Sequence, residues 1–445
     1  MKIKFFGAMG RVTGSCFLLK GKKENLLVDF GMFQGSGNTK ELNRKIPEIE
    51  VACLAGAILT HAHLDHSGRL PLLVQMGYKG KAYMTQGTRD LAELIFLDSV
   101  KIREEDRQKP LYTVEEVERL MRQIVTVEYG QGFETEEFKT LFLCAGHILG
   151  ASSVVIEEKA TSKKVVFSGD LGQAESPLTV KTVVPREAEV VVMEATYGNR
   201  LHEKRDSEKE VLAEEIRAVV ESGGTLLIPA FSIQRSQRIL HLLDHLQKER
   251  KIPMGLKVFL DSPMAIRATR VFAKYKKYYS KHLLEHVKRD KPFDFEGLVL
   301  TEKIWESKKI GKTKGTKVII AGSGMMMGGR IMGHAKKYLP MSNTRLLITG
   351  YQGVRTLGRK ILEGAKSVMI DEKEVMVNAT VREISTMSAH ADRDELLKWL
   401  KGIGNVRKVV LVHGEDEARE RFGELVKNEL KYEVVSPQVE EEIEI

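Results

Sequence analysis

Three histidines and one aspartate fall within six residues of this sequence, in the segment THAHLDH. They are His61, His63, Asp65 and His66, and they directly follow the apolar run AGAIL, which is typical of a strand. Neutral imidazoles and a carboxylate that converge from a rigid strand end are ligands that Zn²⁺ takes in proteins. Adjacent side chains cannot all face one ion, so the spacing indicates two metal ions. The first two histidines would hold one ion, and Asp65 with His66 the other.

Two metal ions need further ligands, and polar residues at other predicted strand ends supply them. His147 follows the run TLFLCAG, Asp170 follows KVVFSG, and His413 follows KVVLV. Each residue alone is more typical of an ordinary loop, but all three share a placement directly after an apolar strand. Asp170 has two carboxylate oxygens and could bridge both ions.

The elements that must position these residues follow from the hydrophobic pattern. Up to residue 195, short apolar strands alternate with turns, and helices are predicted after Gly87 and after Thr113, a plausible N-cap. From about residue 207, helices and strands alternate, which predicts a largely parallel sheet flanked by helices. The acidic tail VEEEIEI is expected to fray.

Charge is distributed unevenly along the chain. Residues 196–365 contain 33 Lys and Arg against 17 Asp and Glu, a net charge of +16, whereas the remainder has a net charge of −7. A solvated surface would explain any single run of lysines. An excess of positive charge that is confined to one block of the sequence favours a surface that binds a polyanion.

Composition narrows the class of protein. The 445 residues are 42% hydrophobic and 29% charged, which excludes an intrinsically disordered chain. No stretch approaches the roughly 20 apolar residues of a membrane span, and no signal peptide is expected. Cys16, Cys53 and Cys144 form no CxxC pair, so we expect small core residues in a reducing cytoplasm.

Taken together, these segments resemble the metallo-β-lactamase superfamily. The set NLLVDFG with Asp29, THAHLDH, GHILGAS and FSGD stands in the order expected of that superfamily. MEATYGNR with Glu194, SAHAD with His390 and VHGE with His413 resemble the three further motifs of its β-CASP branch, the nucleic-acid-processing nucleases. The histidine at position 413 resembles the RNA-acting members, such as the cleavage-and-polyadenylation endonuclease subunit and its short bacterial and archaeal homologues.

The resemblance covers nearly the whole chain and implies a fold. It implies an α/β protein in which residues 1–195 and 366–445 form an αββα metallo-β-lactamase sandwich, with residues 196–365 as an inserted α/β β-CASP domain. The implied activity is zinc-dependent hydrolysis of RNA phosphodiester bonds in RNA processing or decay, mainly endonucleolytic, with a 5′-to-3′ exonucleolytic mode left open. The expected partner is single-stranded RNA; no membrane partner is expected, and assembly into a homodimer stays open.

The resemblance also assigns residues to roles. One zinc ion would be held by His61, His63, His147 and Asp170, and the other by Asp65, His66, Asp170 and His413. Asp29 would orient the histidine loop without binding metal. His390 would be the general acid, held by Glu194, and Asp65 is counted among the catalytic residues as well as the ligands. A purely structural hydrogen bond is the alternative role for Glu194.

Three further features are less specific. The run AGSGMMMGGR could cradle a phosphate, with Ser323, Gly324 and Arg330 as substrate-binding candidates together with Arg235 of PAFSIQR. Tight strand-to-helix packing explains the glycines equally well. Two histidine pairs, His241 with His245 and His282 with His286, have helical i, i+4 spacing and are expected to be surface or packing residues.

Two other functions stay open. One is hydrolysis of a small thioester or lactam, as in other branches of the superfamily, although a small substrate needs no extended basic block. The other is a non-catalytic RNA-binding scaffold, against which the presence of all seven candidate ligands argues.

Overall fold

The computed structural model describes residues 1–35, 38–105, 108–202, 206–288, 291–350, 352–353 and 355–445. The chain forms two compact units. The first comprises Met1–Leu201, Lys277–Ser280 and Ala389–Ile445, and the second comprises His202–Lys276 and Lys281–Ser388. Relative to the domain limits predicted from the sequence, residues 196–201 lie in the first unit and residues 366–388 in the second.

The strands of the first unit fall into two sheets. They are β1 (Lys2–Gly7), β2 (Cys16–Lys20), β3 (Asn25–Val28), β4 (Leu54–Ile58), β5 (Ala82–Thr85), β6 (Ile124–Val127), β7 (Phe138–Cys144), β8 (Ser152–Glu158), β9 (Lys164–Phe167), β10 (Val190–Glu194), β19 (Lys408–Val412), β20 (Glu433–Val435) and β21 (Glu442–Glu444). The second unit contains β11 (Thr225–Pro229), β12 (Lys257–Asp261), β13 (Leu298–Leu300), β14 (Lys317–Ala321), β15 (Thr344–Ile348), β16 (Ser367–Ile370), β17 (Lys373–Met376) and β18 (Thr380–Glu383).

Helices connect these strands. They are α1 (Thr39–Arg44), α2 (Leu64–Ser67), α3 (Leu72–Gln75), α4 (Gln86–Glu105), α5 (Val114–Gln123), α6 (Asp206–Glu221), α7 (Arg235–Lys248), α8 (Pro263–Lys274), α9 (Lys281–Val287), α10 (Ile304–Ile310), α11 (Arg330–Tyr338), α12 (Leu357–Leu362), α13 (Arg393–Lys401) and α14 (Asp416–Leu430), with 3₁₀ turns at Val51–Cys53, Lys276–Tyr278 and Ser385–Met387. Both helices predicted in the first 195 residues are confirmed as α4 and α5. Thr113 caps α5 in a reciprocal pair with Glu116.

The first unit is a sandwich of two sheets. One has the order β21-β1-β2-β3-β4-β5-β6 and the other the order β20-β19-β10-β9-β8-β7. Apolar side chains of both sheets form one buried core, in which the ring of Phe17 stacks on that of Phe167 with centroids 6.0 Å apart. Removal of this apolar surface from water is the main stabilisation of the sandwich. The predicted sandwich of an α/β protein is confirmed.

The acidic tail does not fray, so that expectation is wrong. Residues 442–444 form β21, which pairs antiparallel with β1 and places Ile443 opposite Ile3. Alternation along a strand directs Ile443 into the core, where it is 7% exposed, and the flanking glutamates outward. Glu442 there pairs with Lys2 and Lys20 at 3.1 and 2.5 Å. Ile443 and the partly buried Ile445 thus anchor an otherwise charged segment to the core of the first unit.

The second unit is built on a parallel sheet of order β13-β12-β14-β11-β15-β18. Its central strands β11 and β14 are buried at every position, as expected where helices cover both faces of a parallel sheet. The predicted parallel sheet flanked by helices is therefore confirmed. Across the described part of the chain, no helix combines the length and apolarity needed to cross a bilayer.

Candidate metal centre

The ligand candidates lie at the ends of neighbouring strands. Strands β9, β10 and β19 run parallel side by side, so their carboxyl ends meet at one edge of the sheet. Asp170 follows β9, Glu194 is the last residue of β10, and His413 follows β19. In the other sheet, β4 leads into the histidine segment, where the single turn of α2 carries Asp65 and His66. The two sheet edges thus bring together residues that are far apart in sequence.

One group of candidate ligands surrounds one oxygen of Asp170. His61, His63, His147 and Asp170 each offer a ligand atom within 4.8 Å of the others. Nε2 of His61 lies 3.3 Å and Nε2 of His147 lies 3.6 Å from Asp170 Oδ2. Nδ1 of His63 lies 3.1 Å from Nε2 of His147.

A second group surrounds the other oxygen of the same carboxylate. Ligand atoms of Asp65, His66 and His413 lie within 4.8 Å of one another. Nε2 of His66 and Nδ1 of His413 lie 3.1 and 3.6 Å from Asp170 Oδ1. Nε2 of His413 lies 3.4 Å from Asp65 Oδ2. The carboxylate of Asp170 therefore stands between the two groups, with one oxygen toward each.

Several buried polar atoms at this site lack hydrogen-bond partners within the described part of the chain, which is expected of a site that binds metal ions. Nε2 of His61, Nδ1 of His147 and Oδ1 of Asp170 are buried and make no hydrogen bond of acceptable geometry to any described residue. Leaving a buried polar group unsatisfied costs roughly 1–3 kcal/mol. The imidazole nitrogens and carboxylate oxygens of each group, which lie within 4.8 Å of one another, form a donor set that suits a borderline divalent cation such as Zn²⁺.

The protonation states agree with metal binding at three of the rings. Burial lowers the pKa of His61 to about 3 and that of His63 to about 4. Burial also lowers the pKa of His147 well below its ordinary value. These imidazoles are therefore neutral at pH 7, which is the form that binds metal.

His66 differs from those three rings. Burial opposes its protonation, but the carboxylates of Asp170 and Asp29 raise the pKa of His66 well above its ordinary value. A metal ion that binds this ring therefore displaces a proton. Asp29 accepts hydrogen bonds from the backbone N–H of Thr60 at 2.8 Å and from its hydroxyl at 2.9 Å, and lies 2.7 Å from Nδ1 of His66. Asp29 thus fixes the histidine loop without facing the ligand atoms, as a supporting carboxylate does.

A third contact pair stands beside the two groups. Nδ1 of His390 lies 3.1 and 3.0 Å from the two carboxylate oxygens of Glu194, and its Nε2 lies 3.9 Å from Asp170 Oδ2. The backbone N–H of Leu171 donates to Glu194 at 2.6 Å and fixes that carboxylate. Burial of the ring lowers the pKa of His390, but the carboxylates of Glu194 and Asp170 outweigh this effect and raise the pKa to about 9. The side chain of His390 is 19% exposed, whereas that of Glu194 is 1% exposed, so solvent reaches the ring but not its partner.

Comparison with known proteins identifies the family. The profile of the metallo-β-lactamase superfamily matches residues 9–230, that of the β-CASP domain matches residues 236–361, and that of the Zn-dependent metallo-hydrolase RNA specificity domain matches residues 374–437. A ribonuclease from Thermus thermophilus is 36% identical over 96% of this chain and 96% of its own length. The chain belongs to the β-CASP branch of the metallo-β-lactamase superfamily.

Other similar proteins extend this comparison. RNase aCSPSF2 from Saccharolobus solfataricus is 32% identical over the full chain and 85% of its own length. The crystal structure of a protein of unknown function from Enterococcus faecalis V583 matches over 99% of both chains with a TM-score of 0.57 at 14% sequence identity. The last match concerns the fold alone.

The sequence did not reveal the hydroxyl groups that contact the ligand candidates of this β-CASP protein. Oγ of Ser15 lies 3.3 Å from Nε2 of His66, and Oγ1 of Thr196 lies 3.1 Å from Nδ1 of His413. Thr60, whose hydroxyl contacts Asp29, directly precedes His61, and Thr196 lies two residues after Glu194. Both threonines could therefore have been identified from their closeness to the motifs. Nothing in the local sequence around Ser15 indicates its role, because its position depends on the backbone path before β2.

Two local backbone features explain how the ligands are placed. A Cβ atom on Gly31 would lie 1.6 Å from the carbonyl oxygen of Asp65, so only glycine allows the histidine loop to approach this closely. His413 has φ +48°, an uncommon conformation for a residue with a side chain. Its backbone N–H donates to the carbonyl of Ala8 at 2.7 Å, which holds the residue in that conformation.

The substrate-binding candidates Ser323 and Arg330 lie in the second unit, where internal contacts occupy their side chains. Arg330 donates from Nη1 to Asp261 at 2.7 Å and from Nη2 to the carbonyl of Glu302 at 2.6 Å. Oγ of Ser323 accepts from the backbone N–H of Met327 at 3.0 Å. In the structure as it stands, both residues organise the glycine-rich loop.

The other two substrate-binding candidates, Gly324 and Arg235, also lie in tightly packed surroundings. A Cβ atom on Gly324 would lie 2.6 Å from the ring of Phe231. Arg235 begins α7, is 7% exposed and packs against Gly350, where an added Cβ atom would lie 2.4 Å from its Nη1. A role of these four residues in binding substrate stays a prediction.

Proposed function

We propose that this chain is a zinc-dependent ribonuclease that holds two Zn²⁺ ions and hydrolyses RNA phosphodiester bonds, mainly by internal cleavage and secondarily by 5′-to-3′ trimming. The observation that carries the proposal is the position of Asp170, whose two oxygens each face a separate group of ligand candidates beside His390. The ribonuclease names of two relatives and the match to an RNA specificity domain support RNA as the substrate.

Seven side chains would hold the two ions. One group is His61, His63 and His147 with Asp170, and the other is Asp65, His66 and His413 with the same aspartate. Bound there, two Zn²⁺ ions would lower the pKa of water toward neutrality and neutralise charge on the scissile phosphate. Asp65 is 18% exposed whereas Asp170 is 1% exposed, so an incoming substrate would reach Asp65 more readily than the shared carboxylate.

His390 would supply the proton that the departing ribose oxygen needs. Its Nδ1 is held by Glu194, which leaves Nε2 directed toward Asp170 and the ligand groups. An imidazolium oriented in this way acts as a general acid at the leaving oxygen. Glu194 is a positioning residue, since it is buried and contacts the ring instead of the substrate.

The wild-type chain tests the proposal directly. Metal analysis should find at least two zinc ions per chain, because seven ligands with one shared carboxylate exceed a single tetrahedral site. Circular RNA should be cut, chelation should stop the cutting, and Zn²⁺ should restore it. A single tightly held ion, or binding of RNA without cleavage, would contradict the proposal. Faster hydrolysis of a lactam or thioester than of RNA would favour the small-molecule alternative instead.

Replacing His413 with asparagine should lower both zinc content and the rate of RNA cleavage. Asparagine tolerates φ +48° better than alanine does, so the substitution removes an imidazole ligand while keeping the backbone. Metal analysis and cleavage of end-labelled RNA measure the two effects. The control is His202→Gln, a histidine outside both ligand groups; an asparagine variant that keeps full zinc content would show that His413 is not a ligand.

The basic block offers a surface for RNA binding. Its exposed lysines include Lys274, Lys276, Lys277, Lys308, Lys309 and Lys312. Lys277 pairs with Glu128 at 2.5 Å. The last three lie on or just after α10, where the ring of Trp305 is 51% exposed and lies 4.3 Å from Nζ of Lys309. Exposed aromatic rings beside lysines suit single-stranded RNA, whose bases stack and whose phosphates pair with cations.

Changing Lys308, Lys309 and Lys312 together to glutamate should weaken RNA binding and reduce its dependence on salt, because fewer counterions are released. Zinc content should not change. Fluorescence anisotropy with labelled RNA at several salt concentrations measures both effects. The matched control changes the exposed lysines Lys22, Lys79 and Lys81 of the first unit. Equal affinity of the two triple variants would show that the α10 surface does not bind RNA.

A further inference from the structure

Four histidines outside the metal centre come together in the second unit. His241 and His245 lie one turn apart on α7, and His282 and His286 lie one turn apart on α9. The i, i+4 spacing places each pair on one helix face. The ring of His241 has its centroid 4.5 Å from that of His245 and 5.3 Å from that of His286. The ring of His282 lies 5.5 and 5.4 Å from those of His241 and His245.

These ring-to-ring distances are within about half an ångström of those in the candidate metal centre. There, the ring of His61 lies 5.0 Å from that of His63 and 5.1 Å from that of His147. In the α7–α9 cluster, ligand atoms of three histidines lie within 4.8 Å of one another, as they do in the metal centre. The three are His241, His245 and His286.

Packing alone does not account for the buried member of the cluster. His241 is 2% exposed, and neither of its ring nitrogens has a hydrogen-bond partner among the residues that the structure describes. Nε2 of His245 is also buried and has no hydrogen-bond partner among the described residues. A buried imidazole in an ordinary core satisfies at least one nitrogen, because an unsatisfied group costs roughly 1–3 kcal/mol. Burial also lowers the pKa of His245 to about 4, so the ring is neutral at pH 7.

A buried carboxylate completes the arrangement. Asp244 is 2% exposed, and its Oδ2 lies 2.8 Å from Nε2 of His286 and 2.9 Å from Nζ of Lys248. A carboxylate that holds a histidine ring is the usual support of an imidazole ligand. The sequence alone predicts surface or packing residues here, and nothing local indicates that α7 and α9 meet.

We propose that α7 and α9 clamp a structural Zn²⁺-type ion through His241, His245 and His286, with His282 as the fourth ligand. Four nitrogen ligands leave no open position for substrate, which is characteristic of structural sites as opposed to catalytic ones. The ion would cross-link a helix of 14 residues to a helix of seven residues. The site is independent of the ribonuclease activity.

The first test replaces one ligand with another. The metal-free chain of His245→Cys is titrated with Co²⁺ alone, and thiolate coordination should produce a sulfur-to-cobalt charge-transfer absorption. Wild type and His202→Cys, which places the new thiol outside the cluster, should not show it. A folded His245→Cys chain without that absorption would overturn the proposal.

The second test counts ions. Wild type and His202→Gln should hold one zinc ion more per chain than the double variant His245→Gln, His286→Gln, and the double variant should cleave RNA at the wild-type rate. Equal zinc contents would overturn the proposal. If the double variant does not fold, amide hydrogen exchange of the wild-type chain tests the proposed site instead. Zn²⁺ added to the metal-free chain should slow amide exchange in α7 and α9, and unchanged exchange in both helices would overturn the proposal.

Discussion

Replacing Asp170 with asparagine is expected to lower the rate of RNA cleavage by about 10³-fold or more and to reduce zinc content. The two oxygens of this carboxylate face different ligand groups, at 3.3 Å from His61 and 3.1 Å from His66. An amide keeps the shape but offers one oxygen and no charge, so it cannot serve both groups. Loss of several kcal/mol of charge stabilisation corresponds to about 10³-fold, since 1.36 kcal/mol is tenfold.

Metal analysis and single-turnover cleavage of end-labelled RNA measure these two effects together. Asp394→Asn is the matched control, because that aspartate is exposed and lies in the first turn of α13. Circular dichroism shows whether the buried substitution leaves the fold intact. A folded Asp170→Asn chain that keeps both its zinc and its activity would rule out a carboxylate shared by two ions.

Replacing His390 with alanine is expected to slow RNA cleavage by about 10²–10⁴-fold, the usual contribution of a general acid. Zinc content and RNA affinity should stay at wild-type values, because Nε2 of His390 is 3.9 Å from Asp170 and the seven ligands remain. The ring is partly exposed, so its removal leaves no sealed cavity. The rate constant of chemical cleavage, measured with enzyme in excess, is the readout.

The substrate provides the decisive control for His390. A phosphorothiolate whose leaving sulfur needs no proton, or an activated aryl phosphodiester, should be cleaved by His390→Ala at nearly the wild-type rate. His413→Asn should stay impaired on that substrate, since its defect lies in metal binding. If His390→Ala lost zinc, or were equally slow on both kinds of substrate, the residue would belong to the metal centre or to the scaffold.

Much of the candidate metal centre was predictable from the sequence, because short local segments specify its ligand candidates. Each segment that carries ligand candidates follows an apolar strand, so short segments such as THAHLDH indicate both the residue types and their placement. Neighbouring parallel strands such as β9, β10 and β19 have their carboxyl ends at the same sheet edge, so the residues that follow them lie close together. The α4 and α5 helices were predictable for the same reason, since their spacing and the Thr113 cap are local signals.

Other features depend on contacts that no local pattern encodes. Strand β21 exists because Ile443 meets Ile3 at the far end of the chain, whereas its composition alone suggests a solvated tail. The histidine cluster requires α7 to pack beside α9, and helical spacing does not determine which helix is the neighbour. Arg330 is directed inward by Asp261 of β12, and no local pattern indicates that these two residues pair.

The order of the strands has a consequence for when this centre can form during synthesis. Asp65 and His413 are 348 residues apart in sequence, yet their side chains lie 3.4 Å apart. Strand β19, which positions His413, takes its place beside β10 only after the whole second unit has left the ribosome. A nascent chain therefore presents the whole first ligand group before the second is complete, because His413 is the last ligand candidate to be made.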